Sequence, residues 1–185
     1  EENAEIIVID NLNTGKKQNI EKISKKIDFF EVDIRDFSAI EDILKNIDGV
    51  FHEAALASVQ DSFRIPDEFF DVNVKGTENI FKIGKKLGIK VVYASSSSVY
   101  GNPISNPIKE DDDKNPINPY AKTKLVCEKN IYKQKDIKSV ILRFFNVCSA
   151  LDKPCIGELH NPETHLIPTI LYKAIYNKTI YIYGN

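Results

Sequence analysis

Methionine and tryptophan are both absent from the 185 residues, and cysteine and glycine are scarce, at 3 and 8. Without methionine there is no initiator, and the chain opens Glu1-Glu2-Asn3-Ala4-Glu5 before running straight into the apolar Ile6-Ile7-Val8-Ile9. Processing of a natural start or excerption from a longer sequence would each give that opening, and a piece of a longer protein is the expectation. The cysteines, Cys127, Cys148 and Cys155, are odd in number and ungrouped. That pattern argues against a disulfide framework or a zinc site and for free thiols in a reducing cytosol, so a cytoplasmic protein with no metal is expected. The longest apolar runs, such as Ile6 to Ile9 and Val91 to Ala94, fall far short of the ~20 residues a membrane helix needs. No charged-then-apolar leader opens the sequence, and secretion is not expected. Charge of neither sign dominates: 25 basic and 27 acidic residues leave a net charge of −2. Neither nucleic acid nor a membrane surface is therefore expected as a partner.

What is present is a regular alternation. Short apolar, β-branched runs at Ile6–Ile9, Phe29–Val32, Gly49–His52, Lys90–Ala94 and Ser139–Phe145 read as strands. Between them lie segments of helical period, about Phe37–Asn46, Pro66–Leu87 and Pro119–Lys135. In the second, Phe69, Val72, Ile80, Ile83 and Leu87 form one apolar stripe. A further helix near Ile167–Tyr176 leads to a short strand, Ile180–Tyr183. Strand–helix–strand alternation of this length predicts an α/β fold with a doubly wound parallel sheet. The stretches Gly101–Asn118 and Ser149–Glu163 have no period, and unstructured loops of that length are uncommon unless functional or disordered. The acidic run Glu110–Asp113 reads as solvated surface.

Ligands bind such sheets at the carboxyl ends of the strands. Read in turn, those ends are Asp10-Asn11, Asp33-Ile34, His52-Glu53-Ala54-Ala55, Ser95–Ser98 and Asn146, nearly all small or hydrogen-bonding. The sharpest constellation is Tyr120-Ala121-Lys122-Thr123-Lys124 at a helix start. Tyr120 and Lys124 are four apart and share one helical face. A phenol of pKa ~10 is a poor base near neutrality. A lysine ammonium at about 4 Å, in an effective dielectric of ~20, favours the phenolate by roughly 4 kcal/mol. At about 1.36 kcal/mol per unit, that brings the tyrosine within reach of neutral pH. A hydroxyl from the serine run could then hold a substrate alcohol beside it.

Taken together, these motifs resemble the extended branch of the short-chain dehydrogenase/reductase family, which works on nucleotide sugars. Val8-Ile9-Asp10-Asn11-Leu12 resembles that family's second strand, whose aspartate holds the adenosine ribose; an acid there suits the free 2′-hydroxyl of NAD and repels a 2′-phosphate. Asp33-Ile34 resembles the pair that contacts adenine, and His52-Glu53-Ala54-Ala55 the segment beneath the cofactor. Asn73-Val74-Lys75-Gly76-Thr77 resembles the helix that follows. Ala94-Ser95-Ser96-Ser97-Ser98-Val99-Tyr100-Gly101 is similar to the catalytic serine strand, which places the catalytic serine on Ser96 with Ser97 the runner-up. Asn118-Pro119-Tyr120 and Lys124 complete the triad. Arg143-Phe144-Phe145-Asn146 is similar to a segment in which Phe144 would border the cofactor and Asn146 the nucleotide sugar. The stretch Ile156 to Pro168 resembles the substrate-side loop of the family's UDP-hexose 4-epimerases, with His165 and Leu166 at the substrate and His160 left as an ordinary histidine.

The resemblance implies NAD as cofactor, a UDP-sugar as substrate, a homodimer, and a Rossmann-like sheet incomplete at both ends. Residues 1–148 would form the NAD-binding part and 149–185 the start of a substrate-binding region. Tyr120 would take the proton of the sugar's 4-hydroxyl, Ser96 would orient that hydroxyl, and Lys124 would lower the tyrosine's pKa and hold the nicotinamide ribose. Dehydratases of the family carry an acid just before Val-Tyr-Gly, where this sequence has Ser97-Ser98, so simple redox at C4 is the expected chemistry. UDP-glucose and UDP-galactose are the expected substrates, with UDP-glucuronate, UDP-N-acetylglucosamine or a non-catalytic remnant as alternatives. Two features depart from the pattern. The 8 glycines form no Gly-x-x-Gly-x-x-Gly turn to cradle a diphosphate. Ser149 replaces the usual glycine, a change that nothing in the sequence explains. The 185 residues by themselves are expected not to turn over.

Overall fold

The computed structural model describes residues 4–152, 156–157, 163 and 165–181. They fall into two compact units, residues 1–145 and 146–185. The first unit is α/β with parallel strands. Its order is β1 (Ile6–Ile9), β2 (Ile27–Phe30), α1 (Phe37–Leu44), β3 (Gly49–His52), α2 (Val59–Arg64) and α3 (Pro66–Phe69). There follow α4 (Thr77–Leu87), β4 (Lys90–Ser96), α5 (Pro119–Lys133) and β5 (Ser139–Phe144). The second unit holds a short antiparallel pair, β6 (Ala150–Leu151) with β7 (Ile156–Gly157), and α6 (Leu166–Ile175).

The parallel strands form two hydrogen-bonded ladders. In one, β1 pairs β2 in the register Ile6 to Ile27; in the other, β4 runs between β3 and β5. Strand β2 lies two residues earlier than the sequence predicts. Ile27 and Phe29 alternate inward with Asp28 and Phe30 outward, and that four-residue alternation is what registers on β1. The expected strand at Ile180–Tyr183 does not form at Ile180 or Tyr181, and its remainder lies outside the described residues, as do Cys155 and His160. The loop expected over Ser149–Glu163 carries the β6–β7 pair instead.

Helix starts follow their caps. The side chains of Asp36, Ser58 and Asn118 accept hydrogen bonds from the N–H groups of Ala39, Asp61 and Ala121, satisfying donors that the first turn leaves orphaned. Pro119 sits at the first position of α5, where its missing N–H costs nothing. Helix α4 ends on Gly88 at φ 74°, the left-handed C-terminal cap that suits glycine. The single helix expected over Pro66–Leu87 is not uniform: residues Phe70–Gly76 widen into a π-helical stretch between α3 and α4.

The core of this unit gathers Ile34, Ile40, Leu44, Val74, Ile80, Phe81, Ile83, Ile89, Val91, Tyr93, Cys127 and Ile131, with Ile9, Val50 and Ile141 packed against it. It therefore links both ladders to α1, α4 and α5. One polar residue of the core stands out. His52, at the end of β3, is buried, shares a 2.8 Å hydrogen bond between its Nε2 and Thr77 Oγ1, and lies against the ring of Tyr93. Burial, helped by the charge of Lys124, pulls its pKa down to about 3.

Two predictions follow from this packing. Between about pH 3 and pH 6.5 the unfolded chain binds a proton at His52 that the folded chain refuses, so stability falls as pH drops through that window. The loss from this residue between pH 6.5 and 4.5 is on the order of 2 kcal/mol, and urea midpoints of His52→Gln should show a correspondingly flatter acid limb; parallel limbs would assign the loss elsewhere. A Cβ at Gly76 would run into the Ile34 side chain. Gly76→Ala should therefore cost about 1–3 kcal/mol despite alanine's better helix propensity, and combined with Ile34→Ala it should cost less than the sum of the two. A double-mutant cycle by denaturant unfolding measures that coupling.

Candidate active site

Strand β4 and helix α5 build the site from opposite directions. Strand β4 is flanked on both edges and buried along most of its length, so its carboxyl end delivers Ser95 and Ser96 as fixed points. Beyond Ser96 the chain turns at once through a single 3₁₀ stretch, Ser97–Tyr100. The Ser96 hydroxyl stabilises that turn, accepting from Ser98 N at 3.2 Å and donating to Ser98 Oγ at 3.1 Å. Helix α5 begins at its Asn118 cap, which sets Tyr120 and Lys124 one turn apart on the face toward β4.

The expected triad comes together. The Ser96 side chain acts on the phenol of Tyr120, and the ammonium of Lys124 lies 5.8 Å from the centre of the Tyr120 ring. Lys124 Nζ donates to the carbonyl of Ala94 at 2.8 Å and lies 5.0 Å from the centre of the Tyr93 ring. The electrostatic balance differs from the sequence expectation. Burial raises the pKa of Tyr120 above its ordinary value, and what opposes the rise is the Ser96 side chain rather than the lysine. Lys124 itself is so buried that its ammonium is pulled down to about 8, against the attraction of Cys127 and Glu53. An ammonium that gives one hydrogen to a peptide carbonyl still has two donors for a ribose.

The other expected residues sit as follows. Asp10 ends β1, and its Oδ1 accepts from the N–H of Leu12 at 2.6 Å, while Oδ2 has no partner among the described residues. Gly15 stands beside it: a Cβ there would meet the two carboxylate oxygens at 3.1 and 3.2 Å, so glycine keeps that carboxylate clear. Asn11 donates to Asp33, whose carboxylate also takes the Arg35 guanidinium and is held well below the usual range by it. The Ile34 side chain is in the core rather than at the surface. Ala54 and Ala55 lie just past β3, the first exposed and the second half-buried. Asn73 is fully engaged inside the fold. Its amide accepts from Leu56 N at 2.8 Å and donates to Leu56 O and Thr123 Oγ1, tying the segment after β3 to α5. Ser97 is half-buried in the turn after Ser96, and Phe144 is exposed on β5. Asn146, His165 and Leu166 belong to the second unit. There His165 takes Glu163 Oε1 on its backbone N–H at 2.8 Å, and Leu166 opens α6.

Sequence reasoning missed the polar cluster on the far side of Ser96. Glu128 is 1% exposed, yet its carboxylate receives Ser95 Oγ at 2.5 Å and the Arg143 guanidinium at 2.8 and 3.0 Å. The available signal was a charged residue one turn beyond Lys124 on a helix face that also carries Cys127 and Ile131. Below that cluster lies a cavity of about 830 Å³, lined by Tyr100, Leu125, Tyr132, Arg143 and Phe144 among others. The triad is not part of its wall. Among the described residues no group of His, Cys, Asp and Glu is arranged to hold a metal ion, and no helix is long and apolar enough to cross a membrane.

Known proteins similar to this chain share its fold. The UDP-glucose 4-epimerase of Lacticaseibacillus casei is 37% identical over a stretch covering 98% of this chain and 56% of that protein. That of Lactobacillus helveticus is 39% identical, covering 94% of this chain and 54% of its own length. Among solved structures, Brucella ovis UDP-glucose 4-epimerase in complex with NAD superposes with a TM-score of 0.85 at 33% identity, covering 95% of this chain and 55% of that one. The UDP-N-acetylglucosamine 4-epimerase of Methanobrevibacter ruminantium, in complex with UDP-N-acetylmuramic acid, gives 0.84 at 32% identity, covering 98% and 58%. The chain thus spans a little over half the length of the relatives it matches. The family model for NAD-dependent epimerases and dehydratases matches residues 1–185, and the chain belongs to that family.

Proposed function

We propose that the protein carrying this chain is an NAD-dependent 4-epimerase of UDP-hexoses, interconverting UDP-glucose and UDP-galactose through a 4-keto sugar. The observation that carries the reading is the gathering of Ser96, Tyr120 and the buried Lys124 at the carboxyl end of β4. NAD, when bound, supplies a hydride acceptor that later returns the hydride to the other face of C4. The residues suit that group: the open Asp10 oxygen beside Gly15 fits a ribose diol, and the lysine keeps two donors for the second ribose. Tyr120 removes the proton from the sugar's 4-hydroxyl and gives it back after the sugar turns, while Ser96 holds the oxygen in place and lowers the cost of the phenolate. Lys124 supplies positive charge beneath the phenol. Asp33, Ile34, His52, Ala54, Ala55, Asn73 and Phe144 are assigned to the cofactor side, through backbone or packing where their side chains are engaged elsewhere. Asn146, His165 and Leu166 are assigned to the nucleotide sugar, and two copies of the whole protein are assigned to a dimer.

The substitution of Ser97-Ser98 for an acid favours epimerisation over dehydration. A second substrate, UDP-N-acetylglucosamine, is favoured by one observation, the fold match to an epimerase of that sugar over 98% of this chain. UDP-glucuronate remains the remaining sugar to compare. In the full-length protein, Tyr120→Phe should lower kcat for UDP-galactose by about 10²–10⁴-fold; undiminished turnover, or no turnover of any UDP-hexose by the parent, would sink the reading. Ser96→Ala removes the hydroxyl that restrains the Tyr120 pKa. The Tyr120 phenol, followed by tyrosinate absorbance against Tyr120→Phe, should titrate at higher pH than in the parent, and an unchanged titration would show that Ser96 does not act on it.

A further inference from the structure

We propose that the buried Glu128–Arg143 pair is a positioning device that sets Ser96 against Tyr120. The proposal rests on the epimerase reading of the triad and extends it to residues that touch neither substrate nor cofactor. Four segments that carry or border the triad meet at this one pair. Glu128 lies on α5, one turn past Lys124 and two past Tyr120, and is 1% exposed. Its Oε1 takes the hydroxyl of Ser95 at 2.5 Å, and Ser95 is the residue just before Ser96 on β4. Arg143, which faces Ser95 across the β4–β5 ladder, holds both Glu128 oxygens through Nε and Nη2 at 3.0 and 2.8 Å. Its Nη1 goes on to the Tyr100 hydroxyl at 2.6 Å and to the Glu110 carbonyl at 2.8 Å. Tyr100 ends the turn that starts right after Ser96, and Glu110 lies on the segment leading to the Asn118 cap.

An ion pair at this depth is a poor way to add stability. The Glu128 carboxylate loses its water and Arg143 most of its own, and well-packed apolar side chains of similar volume commonly do as well or better. What the pair offers is direction: a forked guanidinium on a carboxylate has one good geometry. Here it fixes the helix bearing Tyr120 and Lys124 relative to the strand bearing Ser96. Ser96 acts on the Tyr120 phenol only at short range, so a small displacement of strand against helix weakens its effect.

The test uses the full-length protein and four variants, with kcat, KM, thermal midpoint and Tyr120 titration measured on each. Glu128→Gln keeps the size of the side chain and removes its charge. Ser95→Ala leaves the ion pair intact and cuts only its link to β4, so it decides the matter if Glu128→Gln does not fold. Arg143→Lys keeps the charge and loses the fork. Glu41→Gln, which breaks the exposed pair with Lys86, is the control. Glu128→Gln and Ser95→Ala should lower kcat about 10- to 100-fold, with KM within about threefold. Arg143→Lys should fall between them and the parent. Tyr120 should titrate at higher pH in the first two variants, as Ser96 moves out of place against it. If those variants lose thermal stability but keep kcat and the Tyr120 titration of the parent, the pair is a structural tie and the proposal falls. Should the parent turn over no UDP-hexose, the epimerase reading fails, and the Tyr120 titration, which needs no substrate, still decides the positioning claim.

Discussion

Two charges buried one turn apart on α5 govern the carboxyl end of the sheet. Lys124 and Glu128 point from the helix into β4, where consecutive residues answer them: the carbonyl of Ala94 takes the ammonium and the hydroxyl of Ser95 meets the carboxylate. A buried charge needs such partners, and Glu128 has the Arg143 guanidinium besides. The helix can therefore neither slide along β4 nor rotate about its own axis without stranding one of them. Ala121, Cys127 and Ile131 fill the space between, and small or compact side chains there let the backbone come close enough for both bonds. The triad's geometry is a by-product of that double attachment.

Much of this was legible in the sequence, and the failures have physical causes. The strands β1, β3, β4 and β5 announce themselves as short apolar, β-branched runs, the composition that suits a parallel strand flanked in its sheet. The caps at Asp36 and Asn118 and the proline at Pro119 mark helix starts by local chemistry that tertiary structure does not override. Strand β2 was misplaced because its inward residues, Ile27 and Phe29, alternate with Asp28, and only the pairing with β1 selects that register. Helix α2 was missed because six residues with Ser58 as cap carry too little period to see. In the site, the spacing of Tyr120 and Lys124 suggested a shared helical face, since four residues make about one helical turn, while Ser96 was placed by the resemblance of its strand to the family's serine strand. The weight of each on the tyrosine's pKa was not readable: burial depends on the packing around Tyr120, and sequence spacing contains no information about water. Glu128 was overlooked for the same reason, being an ordinary charged helix residue until the fold closes over it.

The two parallel ladders have a bearing on how NAD would be held. In the strand order 3-2-1-4-5-6 of dinucleotide-binding sheets, β1 and β2 take the second and third places, and β3, β4 and β5 the fourth to sixth. On the proposed reading, the residues described here serve the two ends of a dinucleotide, Asp10 at one ribose and Lys124 at the other.

The π-helical stretch between α3 and α4 has a different kind of consequence. A helix advances by about 100° per residue, and a π turn takes up one residue more than an α turn. Across Phe70–Gly76 that extra residue lets Asn73, Val74 and Gly76 all face inward while Phe69 before them and Ile80 after them stay buried too. Substitution on the outer face leaves this phase alone. A change of length does not: one residue added or removed anywhere between Pro66 and Leu87 would turn everything beyond it by more than a quarter of a revolution, carrying either Asn73 or the apolar stripe of α4 out of the core. Along these 22 residues it is spacing, more than identity, that selection has to guard.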